Sequence, residues 1–226
     1  VEIQYLDFTK PETLEVVAER KPELVWIESP TNPLLKIIDI AAVAEVTKSC
    51  GSTLIVDNTF ASSYLQRPIE LGADLSLIST TKYTNGHSDA LGGAVCTNSE
   101  QWHGKMVFAQ KALGLQPSPF DTWLITRGVK TESIRMERHS ANALRFATFL
   151  EEEAGATFVR YPFLESHPQH EIARRQMSGG SGIVTADLGR SLEKTLLFLE
   201  SLKYFPKAES LGGIESLCCH PASMTH

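Results

Sequence analysis

The chain has 226 residues, 42% of them hydrophobic and 21% charged, enough for one large domain or two smaller ones with real cores. A formal charge of −6 with no basic run argues against nucleic-acid binding, because affinity for a phosphate backbone rests on clustered Lys and Arg. No apolar stretch reaches the roughly 20 residues that a membrane-spanning helix needs, and four cysteines without disulfide-framework spacing, two of them adjacent, fit a reducing, cytoplasmic setting.

The sequence opens on a strand-like alternation, Val1-Glu2-Ile3-Gln4-Tyr5-Leu6, with no basic-then-apolar leader, and stops at Met224-Thr225-His226 without a tail. Both ends read as cut. Leu24 to Glu28 is a short apolar run closed by Ser29-Pro30-Thr31-Asn32-Pro33, the pattern of a buried strand running into a loop. Asp39 can cap a helix carrying Ile40, Val43 and Val46 on one side, with Gly51 as its stop. Thr53 to Val56 is a second strand that delivers Asp57-Asn58-Thr59. Pro68 to Gly72 reads as a short helix, Ala73 to Ile78 as a third strand delivering Ser79-Thr80-Thr81-Lys82, and Leu91 to Cys96 as a fourth.

Strands alternating with helices, the strands near-continuously apolar, imply an α/β fold with a parallel sheet covered on both faces. Sites in such sheets lie outside the carboxyl ends of the strands. Three of those ends carry polar clusters, at Asn32, Asp57 and Lys82. After Gly128 the texture changes: Thr131 to Glu153 reads as one long helix with Ala143, Phe146 and Leu150 on one face and Gly155 as its stop. Beyond it come strands at Phe158-Val159 and Ile183-Val184-Thr185 and a helix from Leu192 to Leu202. This places residues 1–129 in one domain and 130–226 in a second.

A lysine, an acid and hydroxyl or amide donors at neighbouring strand ends are what pyridoxal 5′-phosphate (PLP) requires: an amine for its aldehyde, an anion for its ring nitrogen, donors for its phosphate. The Ser79 and Thr81 hydroxyls can reach a phosphate while Lys82 reaches the aldehyde. Asp57 can pair with a protonated ring nitrogen, and Asn32 can donate to the phenolate oxygen. An Asp-Asn pair after a strand also reads as a turn or a helix cap, so residue types alone leave both readings open.

A longer match narrows them. Ser79-Thr80-Thr81-Lys82-Tyr83-Thr84-Asn85-Gly86-His87-Ser88-Asp89 resembles the cofactor-lysine signature of the Cys/Met-metabolism PLP enzymes. So do Glu28 to Pro33, Val56 to Phe60, Ser210 to Leu217 and His220 to His226, and the likeness runs through nearly the whole chain. The resemblance implies the PLP-dependent transferase-like fold (fold type I, aspartate aminotransferase-like), mostly parallel, with a smaller C-terminal α/β domain. It gives Lys82 the Schiff-base link and proton shuttling, Asp57 the ring nitrogen, Ser79 and Thr81 the phosphate, Asn32 the phenolate oxygen and part of the substrate carboxylate site, and Thr59 a place near the ring. Ser210 should neighbour substrate and lysine.

Glu209, before that serine, resembles the cystathionine γ-lyases and γ-synthases, where an acid meets the distal amino group of cystathionine. Tyr64 to Pro68 and Ser166 to Glu171 look most like γ-lyases. The implied reaction is γ-elimination of cystathionine to cysteine, 2-oxobutyrate and ammonia. γ-Replacement on an O-acylhomoserine and an inactive binding relative are the alternatives, and a homotetramer, a dimer of dimers, is the implied assembly. The family's N-terminal blocks and the arginine that grips the α-carboxylate fall outside this sequence, so its active site is expected to be incomplete.

Several residues carry blander readings. His167 and His170 flank Pro168 and have no third ligand, so no metal site is expected. Cys218-Cys219-His220 lacks metal spacing. His87 shapes the loop after Lys82, and Glu28 stands behind the site. Ser178-Gly179-Gly180-Ser181-Gly182 lacks the ending of a phosphate loop and reads as a turn.

Overall fold

The computed structural model describes residues 2–224. Thr225 and His226, part of the last matched block, lie outside them. Four strands form one sheet in the order β1 (Leu24–Glu28), β2 (Thr53–Asp57), β3 (Leu75–Ser79), β4 (Gly93–Cys96). The first three are parallel, with Glu28 beside Asp57 and Asp57 beside Leu77. The fourth runs antiparallel, Ser79 opposite Gly93. The sheet is therefore mostly parallel, with one reversed edge.

Helices α1 (Glu12–Arg20) and α2 (Ile40–Cys50) pack on one face of this sheet. Asp39 caps α2, its Oδ1 accepting from the Ala42 amide at 3.2 Å, and Gly51 ends it in the left-handed region at φ 75°. Val17, Val25, Ile27, Ile40, Val43, Leu54 and Val56 form the core between these layers. The other face is not covered as expected: β1 alternates, Val25 and Ile27 buried, Leu24 44% and Trp26 56% exposed.

Between the strands, the helical turn is α3 (Ser62–Leu65), and Pro68 to Gly72 is a turn of successive three-residue hydrogen bonds rather than a helix. The proline and glycine that bracket it suit a turn as well as a helix boundary. Next come a π-helical turn at Thr80–Thr84, α4 (Glu100–Leu113) and α5 (Pro119–Val129).

The long helix α6 spans Glu132–Glu152. It buries Met136, Ala143 and Ala147, whereas Phe146 turns outward to stack on Phe205. A two-stranded antiparallel ribbon, β5 (Phe158–Arg160) with β6 (Thr185–Asp187), packs near it. β6 lies two residues beyond the expected strand start at Ile183. Helices α7 (His170–Gln176), α8 (Leu192–Ser201) and the short α9 (Pro221–Met224) complete the described chain. No helix among the described residues is long and apolar enough to cross a membrane.

Candidate active site

Because β1, β2 and β3 lie side by side and parallel, their three polar clusters leave from the same edge of the sheet. The ladder continues past the strand ends: the Ser29 amide donates to the Asp57 carbonyl at 3.2 Å, and the Asn58 amide to the Leu77 carbonyl at 2.8 Å. Thr59 then bridges two clusters. Its amide donates to Asp57 Oδ1 at 2.9 Å, and its Oγ1 accepts from the Ser79 amide at 2.9 Å.

Lys82 sits within the π-helical turn but departs from helical geometry, at φ −90° and ψ −127°. Its Nζ donates to Ser210 Oγ at 3.0 Å. Ser210 is 128 residues away in sequence and has a left-handed backbone at φ 91°. The approach of the two segments depends on Gly212: a Cβ there would lie 2.5 Å from the Tyr83 nitrogen and 2.7 Å from the Lys82 carbonyl carbon. Only a glycine fits against that peptide.

The residues present fit PLP. Asp57 uses one carboxylate oxygen on Thr59 and has no hydrogen bond on Oδ2 among the described residues, which suits pairing with a ring nitrogen. The Ser79 hydroxyl and the exposed Asn32 carboxamide also make none. Thr81 is more engaged: its Oγ1 accepts from the Gly92 amide at 3.0 Å and donates to the Gly92 carbonyl at 3.3 Å, so it must release the longer bond to donate to a phosphate. Asn32 is held by its own amide, which donates to Glu28 Oε2 at 3.1 Å, placing Glu28 behind the loop. Glu209 is exposed, and its charge helps push the Cys219 thiol up, after burial.

The turn carrying Lys82 is held from behind. Arg135, from α6, donates to the Tyr83 carbonyl at 2.6 Å, the Thr84 carbonyl at 3.3 Å and the Gly128 carbonyl at 2.9 Å. His87 Nδ1 donates to the Asn85 carbonyl at 2.8 Å. Tyr83 is buried with its hydroxyl between Ser181 Oγ and the Gly182 amide, each at 3.0 Å. The glycine-rich stretch is thus a turn pressed against two tyrosines, since a Cβ on Gly180 would lie 2.4 Å from the Tyr161 ring.

His167 is a buried structural histidine. Its Nδ1 accepts from the Gln169 amide at 3.1 Å, so Nε2 carries the proton and donates to the Leu35 carbonyl at 3.0 Å. Among the described residues no group of three or more His, Cys, Asp or Glu could hold a metal ion. The sequence did not single out Arg135 or Gln176, and Asn58 stood in the Val56 to Phe60 block without a role of its own. Gln66 lay within a stretch noted for its likeness, which was the available signal.

The sequence model of the family described as "Cys/Met metabolism PLP-dependent enzyme" matches residues 1–226. A cystathionine gamma-lyase of Dictyostelium discoideum is 48% identical over 226 residues, covering 100% of this chain and 58% of the relative. One from Bos taurus is 49% identical over 227 residues, covering 100% and 56%. A crystal structure of cystathionine gamma synthase from Xanthomonas oryzae superposes with a TM-score of 0.94 at 45% identity, covering 97% of this chain and 57% of that one. The chain therefore spans a little over half the length of these relatives.

Proposed function

The chain belongs to the Cys/Met metabolism PLP-dependent enzymes, and from that premise we propose that it is the central part of a carbon–sulfur lyase that splits L-cystathionine, with water, into L-cysteine, 2-oxobutyrate and ammonia. The observation that carries the reading is the 3.0 Å contact between Lys82 Nζ and Ser210 Oγ beside the Asp57–Thr59–Ser79 chain of hydrogen bonds. Lys82 would hold the cofactor, Asp57 its ring nitrogen, Ser79 and Thr81 its phosphate, and Asn32 its phenolate oxygen, with Thr59 fixing the Asp57 carboxylate. When bound, PLP supplies an electron sink that makes protons on neighbouring substrate carbons removable.

Lys82 Nζ takes the proton from the α-carbon, gives it up, and as a neutral amine again takes a proton from the β-carbon, which can then go to the departing sulfur as cysteine leaves. Ser210 Oγ orients the amine between these tasks. Asn32 contributes to holding the substrate carboxylate, and exposed Glu209 meets the distal ammonium of cystathionine. The γ-lyase likeness of Tyr64 to Pro68 and Ser166 to Glu171, with the two γ-lyase relatives, supports elimination. The γ-synthase superposition favours the second reading, γ-replacement on an O-acylhomoserine. We infer assembly as a homotetramer, and a cytoplasmic setting from four free cysteines.

The test is an absorbance spectrum of the purified chain with added PLP, before and after borohydride, for wild type and Lys82→Ala. The expected result is a visible band that borohydride converts to a covalent label in wild type alone. A band of equal strength in Lys82→Ala overturns the role of the lysine. Product analysis with cystathionine, with and without an O-acylhomoserine plus cysteine, separates elimination from replacement.

A further inference from the structure

The stretch around Gln66, noted in the sequence, meets Gln176 at the end of α7 beside the strand ends that carry the candidate site. Gln66 is 1% exposed and Asn58 0%. Gln66 Nε2 donates to the Ser29 carbonyl at 2.7 Å and to Asn58 Oδ1 at 2.8 Å, while its Oε1 accepts from Gln176 Nε2 at 3.0 Å. Asn58 Nδ2 donates to the Ser62 carbonyl at 2.9 Å and to the Gln66 carbonyl at 2.8 Å. Gln176 Nε2 also donates to the Ile38 carbonyl at 2.9 Å, and its Oε1 accepts from the Ile40 amide at 3.3 Å.

The orientations are forced. Rotating the Gln66 amide by half a turn would set its oxygen against two acceptors, and rotating Asn58 would do the same. Both Nε2 hydrogens and Oε1 of Gln66 are engaged, so one side chain links three segments: Ser29 through its carbonyl, and Asn58 and Gln176 through their side-chain amides. Ser29 directly follows β1, three residues before Asn32, Asn58 directly follows Asp57, and Gln176 ends α7.

We propose that Gln66 is a positioning residue that sets the Asn32 loop against the Asp57 strand end, and so fixes the spacing of the two groups that face the cofactor ring. A fully satisfied buried network holds one geometry, and loss of one member leaves its partners unpaired in a dry environment. The role rests on the cofactor site proposed above. It differs from general structural support, because a residue that only stabilised the fold would loosen all segments alike.

The experiment compares Gln66→Met, which keeps length but removes the amide, with Val159→Ala, a core truncation on β5, at temperatures equally far below each melting point. In the cofactor-free chain, hydrogen exchange read by mass spectrometry should rise in peptides covering 29–38 and 57–62 for Gln66→Met but not for Val159→Ala. PLP affinity, titrated by the visible band, should fall about tenfold in the first variant and stay within about twofold in the second. Equal exchange and equal affinity in the two variants overturn the role of Gln66. A wild-type chain that forms no band overturns the cofactor reading instead, a separate result, since exchange is measured without cofactor. If Gln66→Met does not fold, Gln176→Met removes the donor to Gln66 Oε1 from a half-buried position and is read in the same way.

Discussion

Ser210 combines a backbone that suits glycine with a hydroxyl that serves the site. At φ 91°, a residue with a Cβ carries strain of about 1–3 kcal/mol, yet its Oγ is the partner of Lys82 Nζ. The two contributions can be separated by substitution. Ser210→Ala keeps the strain and loses the hydroxyl; Ser210→Gly loses both, offset in part by the greater unfolded-state freedom of glycine. Thermal melts should place Ser210→Gly above Ser210→Ala by about 2–4 °C, and both should disturb the cofactor band equally. The reverse order in the melts would show that the backbone there is not strained. The places of Lys82, Asp57 and Ser79 at neighbouring strand ends were legible in the sequence from the apolar runs that precede them, although residue type alone left a turn or a cap open as the reading. Gln66 and Asn58 were not, because a buried amide acts through backbone carbonyls, and nothing in sequence marks which carbonyls will be near.

Strand ends and helix caps were the readable elements. β1 matches its expected bounds, α6 falls within one residue of them at each end, and Asp39 and Gly51 delimit α2 as their chemistry dictates. The turn at Thr80–Thr84 was not readable, since the side chain that holds its carbonyls comes from α6, far along the sequence. A short helical turn leaves carbonyls without partners, and Arg135 supplies the donors for Tyr83 and Thr84. Gly86 leaves room for it: a Cβ there would lie 2.0 Å from Arg135 Nη1. Arg135→Met should therefore cost about 2–4 kcal/mol in urea denaturation, with Arg135→Lys in between because an ammonium cannot span the same carbonyls. A Met variant as stable as wild type would show that the turn holds Lys82 unaided.

At the scale of the molecule, the domain boundary expected between residues 129 and 130 falls where α5 ends. Ile37, Ala61, Leu65 and Tyr83 on one side nevertheless share a core with Met136, Ala173 and Met177 on the other. Two imidazoles lie along this seam. His139 packs edge-on against Tyr83, ring centroids 5.4 Å apart, and His167 reaches the Leu35 carbonyl. Burial pushes both below the ordinary histidine value. The Arg135 charge adds to this for His139; for His167 the Leu35 carbonyl opposes it, while Arg160 and His170 reinforce it.

The sign of the pH effect follows. Below about pH 6.5 the unfolded chain takes up protons that the folded imidazoles resist, so stability is complete above that pH and falls as pH drops. Each histidine can contribute at most about 1.4 kcal/mol per pH unit in that window. Urea denaturation at about pH 7.5 and about pH 5.5 should show wild type losing stability on acidification, and His167→Gln, which retains a neutral donor toward Leu35, losing less, by no more than about 1.4 kcal/mol. An identical loss in the variant would mean that His167 protonates as readily in the folded chain as in the unfolded one. The seam would then yield to acid through His139, whose edge-on contact with Tyr83 crosses it.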